Sequence, residues 1–193
     1  LLNKINIPLS KGLEMKNYRE DILNNFIERY EKSSYYKGKS LKPQKSSIVL
    51  HERYPQYGQS RYPEVLEKIE DVVLQLEKED LIQFAKGSIE GNRKLIFVPT
   101  EERVSKIYQE LDRTPLKEKR NQYLNCLKMY ELDSFFKDFQ IAMEEKVFNY
   151  ESVSPYLKVY DQEDLKNVMK ILQGMKNQKE EISFRKFSEK VLG

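Results

Sequence analysis

The sequence predicts an α+β chain with a mixed N-terminal part and a mostly helical remainder. Apolar residues recur at helical spacing through most of the chain. Between residues 81 and 98, two short apolar runs flank Gly87-Ser88 and Gly91-Asn92, which are turn residues. After Thr114-Pro115 the pattern is almost wholly helical, and Thr114-Pro115 is the best domain boundary. Two parts are therefore expected, 15–113 and 114–193, behind a lead at 1–14.

That lead has no clear period, and Met15-Lys16-Asn17-Tyr18 reads as a natural start. Residues 1–14 are expected to be appended or disordered. From Tyr18 to Glu31, the positions Ile22, Leu23, Phe26, Ile27 and Tyr30 follow helical spacing. Gly38 and Pro43 then block regular structure. Ser47-Ile48-Val49-Leu50-His51 is short and β-branched, which predicts a strand. Tyr54-Pro55-Gln56-Tyr57-Gly58 predicts a turn. Pro63 opens the strongest helix, with Val65, Leu66, Ile69, Val72, Val73 and Leu76 in one stripe. Leu81–Ala85 and Arg93–Val98 predict two strands of a hairpin. A helix followed by a β-hairpin is the order that builds the wing of a winged-helix domain, so this part is read as winged-helix-like. Thr100 is placed to cap a helix bearing Val104, Ile107, Tyr108 and Leu111. Beyond Pro115, one helix carries Tyr123, Leu124, Leu127 and Tyr130. A second, capped by Ser134, carries Phe135, Phe136, Phe139, Ala142 and Met143. A third carries Leu165, Val168, Met169 and Leu172, and Ile182–Ser188 is amphipathic. No terminating signal precedes Gly193, so the chain reads as a fragment cut at a domain border.

Composition narrows the chemistry. Of the 193 residues, 39% are hydrophobic and 34% charged, enough for a core under a charged surface. The lone Cys126 excludes an intrachain disulfide, and with no signal peptide this suggests a reducing, cytoplasmic setting. No apolar run approaches the roughly 20 residues of a membrane span. One histidine, His51, and one cysteine cannot make a His/Cys zinc site. His51 follows a strand-like run and is read as structural or superficial. Neither a phosphate-cradling glycine loop nor a CxxC pair occurs. The chain carries no recognisable catalytic site.

The most informative segment is Glu28–Lys39, where a helix runs into a basic, tyrosine-bearing stretch. From Lys32 to Ser47 there are five lysines and no acidic residue, although the whole chain is only +3. Local charge of this kind attracts a polyanion. The candidate nucleic-acid contacts are Lys32, Lys37, Lys39, Lys42 and Lys45 on phosphates, with Tyr35 and Tyr36 against sugars or bases. Arg53 and Arg61 extend the charge, and Arg93 and Lys94 open the second hairpin strand. The bland alternative is a soluble, lysine-rich loop. Arg185, Lys186 and Lys190 form a second basic cluster with the same alternative. The Pro63–Asp80 helix is an unsuitable recognition helix. Its Glu64, Glu67, Glu70, Asp71, Glu77, Glu79 and Asp80 outnumber Lys68 and Lys78, and phosphates would repel such a face. Those carboxylates are read as a solvated face.

Several motifs together resemble the N-terminal region of the JetD family, the nuclease subunits of Wadjet, a bacterial SMC-type plasmid-defence system. They are Phe26-Ile27-Glu28-Arg29-Tyr30-Glu31-Lys32-Ser33, then Tyr54-Pro55-Gln56-Tyr57, a long helix, a hairpin, and Tyr108 with Leu111-Asp112-Arg113. The tail Ser183-Phe184-Arg185-Lys186-Phe187-Ser188 with Val191-Leu192-Gly193 resembles the stretch before that family's toprim domain. The likeness spans Met15 to Gly193. It implies kinship with the topoisomerase VI A subunit: an N-terminal arm, a winged-helix-like CAP domain and a metal-dependent toprim nuclease domain. It also implies action on double-stranded plasmid DNA with SMC-like, kleisin-like and accessory subunits, and a homodimer among the possible assemblies. Mg or Mn is expected only in the toprim domain, whose acidic motif would follow Gly193. Asp133 and Asp138 are isolated, and Asp161-Gln162-Glu163-Asp164 reads as a helix start, so no catalytic or metal-binding residue is carried over.

The expected function is DNA positioning and partner docking for a plasmid-defence nuclease. The alternatives are a winged-helix transcription regulator, which would bind a palindrome as a dimer, and a protein-docking module without DNA contact.

Overall fold

The computed structural model describes residues 17–130, 134–154, 157 and 161–192. The expected lead at 1–14, the start at Met15, Asp133 and Gly193 lie outside the described residues. Two compact units divide the chain, meeting at Arg113 and Thr114. Among the described residues the fold is α+β, mostly helical, with a three-stranded antiparallel sheet.

In the first unit α1 spans Tyr18–Lys32, and Asn17 caps it by accepting from the Glu20 N–H. Strand β1 covers Ser46–Val49 and leads into the short α2, Leu50–Arg53. Helix α3 runs from Pro63 to Lys78, with proline in the first turn, where its missing N–H costs no helical bond. The hairpin strands are β2, Gln83–Phe84, and β3, Lys94–Phe97. Helix α4, Glu101–Glu110, is capped by Thr100, which accepts from the Arg103 N–H.

The sheet order is β1-β3-β2, with Ser46 opposite Phe97 and Gln83 opposite Ile96. Its inner face carries Ile48, Leu95 and Phe97. These pack with Ile22, Leu23, Phe26 and Ile27 of α1, with Val65, Ile69, Val73 and Leu76 of α3, and with Val104 and Ile107 of α4. Helix α1 touches α3, α4 and β1, so it organises the unit.

All three strands are shorter than their patterns suggest, and β3 leaves out Arg93 and Val98. The expected strand to His51 ends at Val49. Leu50 still donates its N–H to the Arg93 carbonyl, but its side chain is buried and the backbone turns helical there. His51 therefore lies exposed on α2. Of Leu81–Ala85 only Gln83 and Phe84 are strand, because Leu81 donates back to the Leu76 carbonyl and closes α3.

The second unit contains α5, Leu116–Lys128, α6, Ser134–Phe148, α7, Gln162–Asn177, and α8, Phe184–Leu192. Its core joins Tyr123, Cys126, Leu127, Met143, Val147, Leu165 and Met169. Phe136 and Phe139 pack against that core, whereas the Phe135 side chain and any cap by that of Ser134 lie outside the described residues. Ala142 is exposed. Gly174 lets α8 approach α7, since a Cβ there would lie 2.6 Å from Val191 Cγ2.

Candidate nucleic-acid interface

The basic segment is built, not trailing. Ser33 ends α1 by donating its N–H to the Tyr30 carbonyl. Lys37 then donates to Ser33, Gly38 to Tyr35 and Lys39 to Ser34, all backbone bonds of 2.7–3.3 Å. Gly38 sits at φ +71°, a left-handed conformation that glycine adopts without strain. Tyr35 and Tyr36 fold back on Tyr30, with ring centroids 6.5 and 5.1 Å away. Both tyrosines are half-buried, so they anchor the loop and leave only part of their surface outward.

The lysines divide by environment. Lys39, Lys42 and Lys45 are exposed and Lys37 is half-exposed. None of these four forms an ion pair among the described residues. Lys32 is exposed and lies 3.8 Å from Glu28, one helical turn back. Arg29, absent from the sequence-based candidates, reaches the same side and donates to the Ser47 carbonyl at 2.7 Å. Arg29 forms no ion pair among the described residues, although Glu52 lines a neighbouring cleft with it. Arg29, Lys32 and Lys45 line one cleft of about 220 Å³ between the end of α1 and the approach to β1.

Two of the three arginines beyond the loop are already committed. Arg53 donates twice to the Asp21 carboxylate, at 2.8 Å each, and Tyr54 donates to the same group. Arg93 lies against the Phe84 ring, 4.3 Å from its centroid, and donates to Glu70 at 2.6 Å. With only 15% of its side chain exposed, it is a packing residue of the hairpin. Arg61 is exposed beside Tyr62, with its guanidinium carbon 5.9 Å from that ring centroid. Lys94, with Lys86 near it on the hairpin, remains exposed.

Glu70 corrects the reading of α3 as a uniformly solvated acidic face. It is buried, accepts from Arg93 and the Tyr57 hydroxyl, and meets the Gly91 N–H at 3.4 Å. Glu79 pairs with Arg19, and Asp80 with Arg103. Three of the seven carboxylates thus join elements together. Glu64, Glu67, Asp71 and Glu77 stay exposed, so the outer surface of α3 remains acidic. A sequence signal for the Glu70 hub was weak: position 70 follows Ile69 and falls at the edge of the apolar stripe.

Buried charge also closes the unit. Glu31 accepts from Tyr108 at 2.9 Å and from Arg113 at 2.5 Å. Burial first, then the Glu31 charge and Tyr36, pushes the Tyr108 phenol above its ordinary range. Burial and Glu70 do the same to Tyr57, and burial and Asp21 to Tyr54.

In the second unit, Arg185 pairs with Glu189 at 3.0 Å and Lys190 donates to Gln178 at 3.1 Å. Phe184 and Ile182 are exposed on the same segment. Among the described residues, no three His, Cys, Asp or Glu side chains converge in a way that could hold a metal ion, and no helix is long and apolar enough to cross a membrane. Compared with protein-family models, curated proteins and solved structures, the chain matches none.

Proposed function

We propose that the first unit grips double-stranded DNA by its phosphate backbone, as the DNA-positioning and partner-docking region of a JetD-like nuclease subunit of a Wadjet-type plasmid-defence system. The observation that carries the DNA reading is the ordered loop from Ser33 to Lys45. It presents Lys37, Lys39, Lys42 and Lys45 with no carboxylate partner among the described residues, beside Arg29, which donates to the Ser47 carbonyl. Phosphates gain from such charges by releasing counterions, and contacts of this kind carry little sequence information. The committed state of Arg53 and Arg93 narrows the contact set to this loop, Arg29, Arg61 and the hairpin lysines.

A winged-helix reading of the unit is supported by its element order, α1-β1-α2-α3-β2-β3, and by the strand order β1-β3-β2. The acidic outer surface of α3 favours backbone contact by loop and hairpin over insertion of that helix in the major groove. The metal-dependent cleavage that the resemblance implies belongs to a toprim domain and is assigned to none of these residues. Partner docking is assigned to the exposed acids of α3 and to α8, whose Phe184 is 85% exposed.

Those same features favour the second reading, a docking module without DNA contact. Titrating the chain with non-specific duplex DNA across a salt series separates the two. Binding that weakens steeply with salt and ignores sequence supports the DNA reading. Absence of binding even at low salt overturns it.

A further inference from the structure

One feature of the basic loop is not used by phosphate contact. Leu41 stands in it with 98% of its surface exposed. A single exposed leucine is ordinary by itself. Its setting is not. The Ser40 hydroxyl lies 3.2 Å from the Lys42 carbonyl, to which it donates, and 3.3 Å from the Lys42 N–H, from which it accepts. These bonds fold the backbone tightly around Leu41. Pro43 restricts the chain just beyond. The Tyr30–Tyr36 packing anchors one end of the loop, and β1 takes over at Ser46 on the other. Lys39 and Lys42 flank the leucine, both exposed.

Minor-groove proteins that kink DNA push an apolar side chain between base steps while cations hold the phosphates on either side. The loop has both parts in the required order. We propose that Leu41 is a wedge that enters the minor groove and kinks the duplex, with Lys39 and Lys42 on the flanking phosphates. This inference rests on the DNA reading above and adds a mode of contact to it. Unstacking a base step is costly, and burying one leucine offsets only part of that cost. The wedge therefore selects steps that unstack easily, such as TA. Preorganisation by Ser40 and the tyrosine anchor lowers the ordering cost that a flexible loop would bear.

The test uses the 193-residue chain and a short A·T-rich duplex. The duplex carries 2-aminopurine beside a central TA step and a fluorescence-transfer pair at its ends. The wild type is expected to raise 2-aminopurine fluorescence and to shorten the end-to-end distance, as a kink of about 20–90° would. Leu41→Ala is expected to lose both signals while keeping the salt dependence of binding. Lys39→Gln and Lys42→Gln are each expected to lower the salt slope by about 0.9. Leu41 has no packing role, so circular dichroism should be unchanged in its variant. Equal distortion by Leu41→Ala, or steep salt-dependent binding without distortion by the wild type, overturns the wedge and leaves the DNA reading intact. No binding at any salt overturns both. Leu41-dependent capture on phosphatidylserine vesicles, with an undistorted duplex, assigns the tip to a membrane surface and also overturns the wedge.

Discussion

Glu31, in the last turn of α1, holds Arg113 across 82 residues of sequence, with Tyr108 donating to the other carboxylate oxygen. The bond ties the first helix of the unit to its last residue. Removing Glu31 takes the carboxylate away from both Arg113 and the Tyr108 hydroxyl. Glu31→Ala is expected to cost about 3 kcal/mol, the low end for a broken buried pair because Arg113 keeps some water. Tyr108→Phe should cost about 1 kcal/mol. Urea midpoints measure both, and a Glu31→Ala midpoint equal to wild type would refute the assignment.

Glu70 does for the hairpin what Glu31 does for the helices. It links Tyr57, α3 and Arg93, and beside it Gly58 passes so close to Gly91 that an added Cβ would lie 2.2 Å from the Gly91 carbonyl oxygen. Glu70→Ala should free the hairpin, seen as faster amide exchange from Gly91 to Lys94. Gly58→Ala should destabilise through both the clash and the left-handed backbone at φ +80°. Unchanged exchange in Glu70→Ala would show that the hairpin is held by the sheet alone.

The arginine and lysine candidates should separate experimentally. Arg53→Gln and Arg93→Gln are expected to lower stability and leave the salt slope of DNA binding as it was. Lys45→Gln is expected to lower that slope by about 0.9 with no change in stability. A slope lowered by Arg93→Gln would return that residue to the interface.

Alkaline pH should weaken the first unit. Tyr54, Tyr57 and Tyr108 have raised pKa values, chiefly because burial disfavours the phenolate. In the unfolded chain they ionise near about pH 10. A folded pKa above the unfolded one means that the contribution is complete below that pH and is lost as pH rises through the gap. Urea midpoints should fall from about pH 10 upward, with phenolate absorbance lagging behind that of free tyrosine. In Tyr57→Phe the fall should be shallower. A midpoint that stays flat to higher pH would contradict the burial of these phenols.

Gly174 supplies a check on the second unit. Gly174→Ala places a Cβ against Val191 and should release α8 from α7. Earlier proteolysis between Gln178 and Ser183 would report it. A cleavage pattern identical to wild type would mean that the contact yields without cost.

What the sequence determined by itself was local. The stripe from Val65 to Leu76, the proline at 63 and the cap at Thr100 act within a few residues. The helices α3 and α4 were therefore legible before any packing. The hairpin was legible from its glycines, and the basic loop from its uninterrupted lysines. The tertiary structure decided which charges remain available. Glu70, Glu79 and Asp80 read like their exposed neighbours, yet arginines from other elements take them up. Arg53 and Arg93 read like Lys42, yet carboxylates from α1 and α3 neutralise them. The physical reason is range. Helical periodicity and capping are set over a turn of backbone, whereas an ion pair depends on which residues folding brings within reach, and residues as far apart as 31 and 113 carry no shared signal in the sequence.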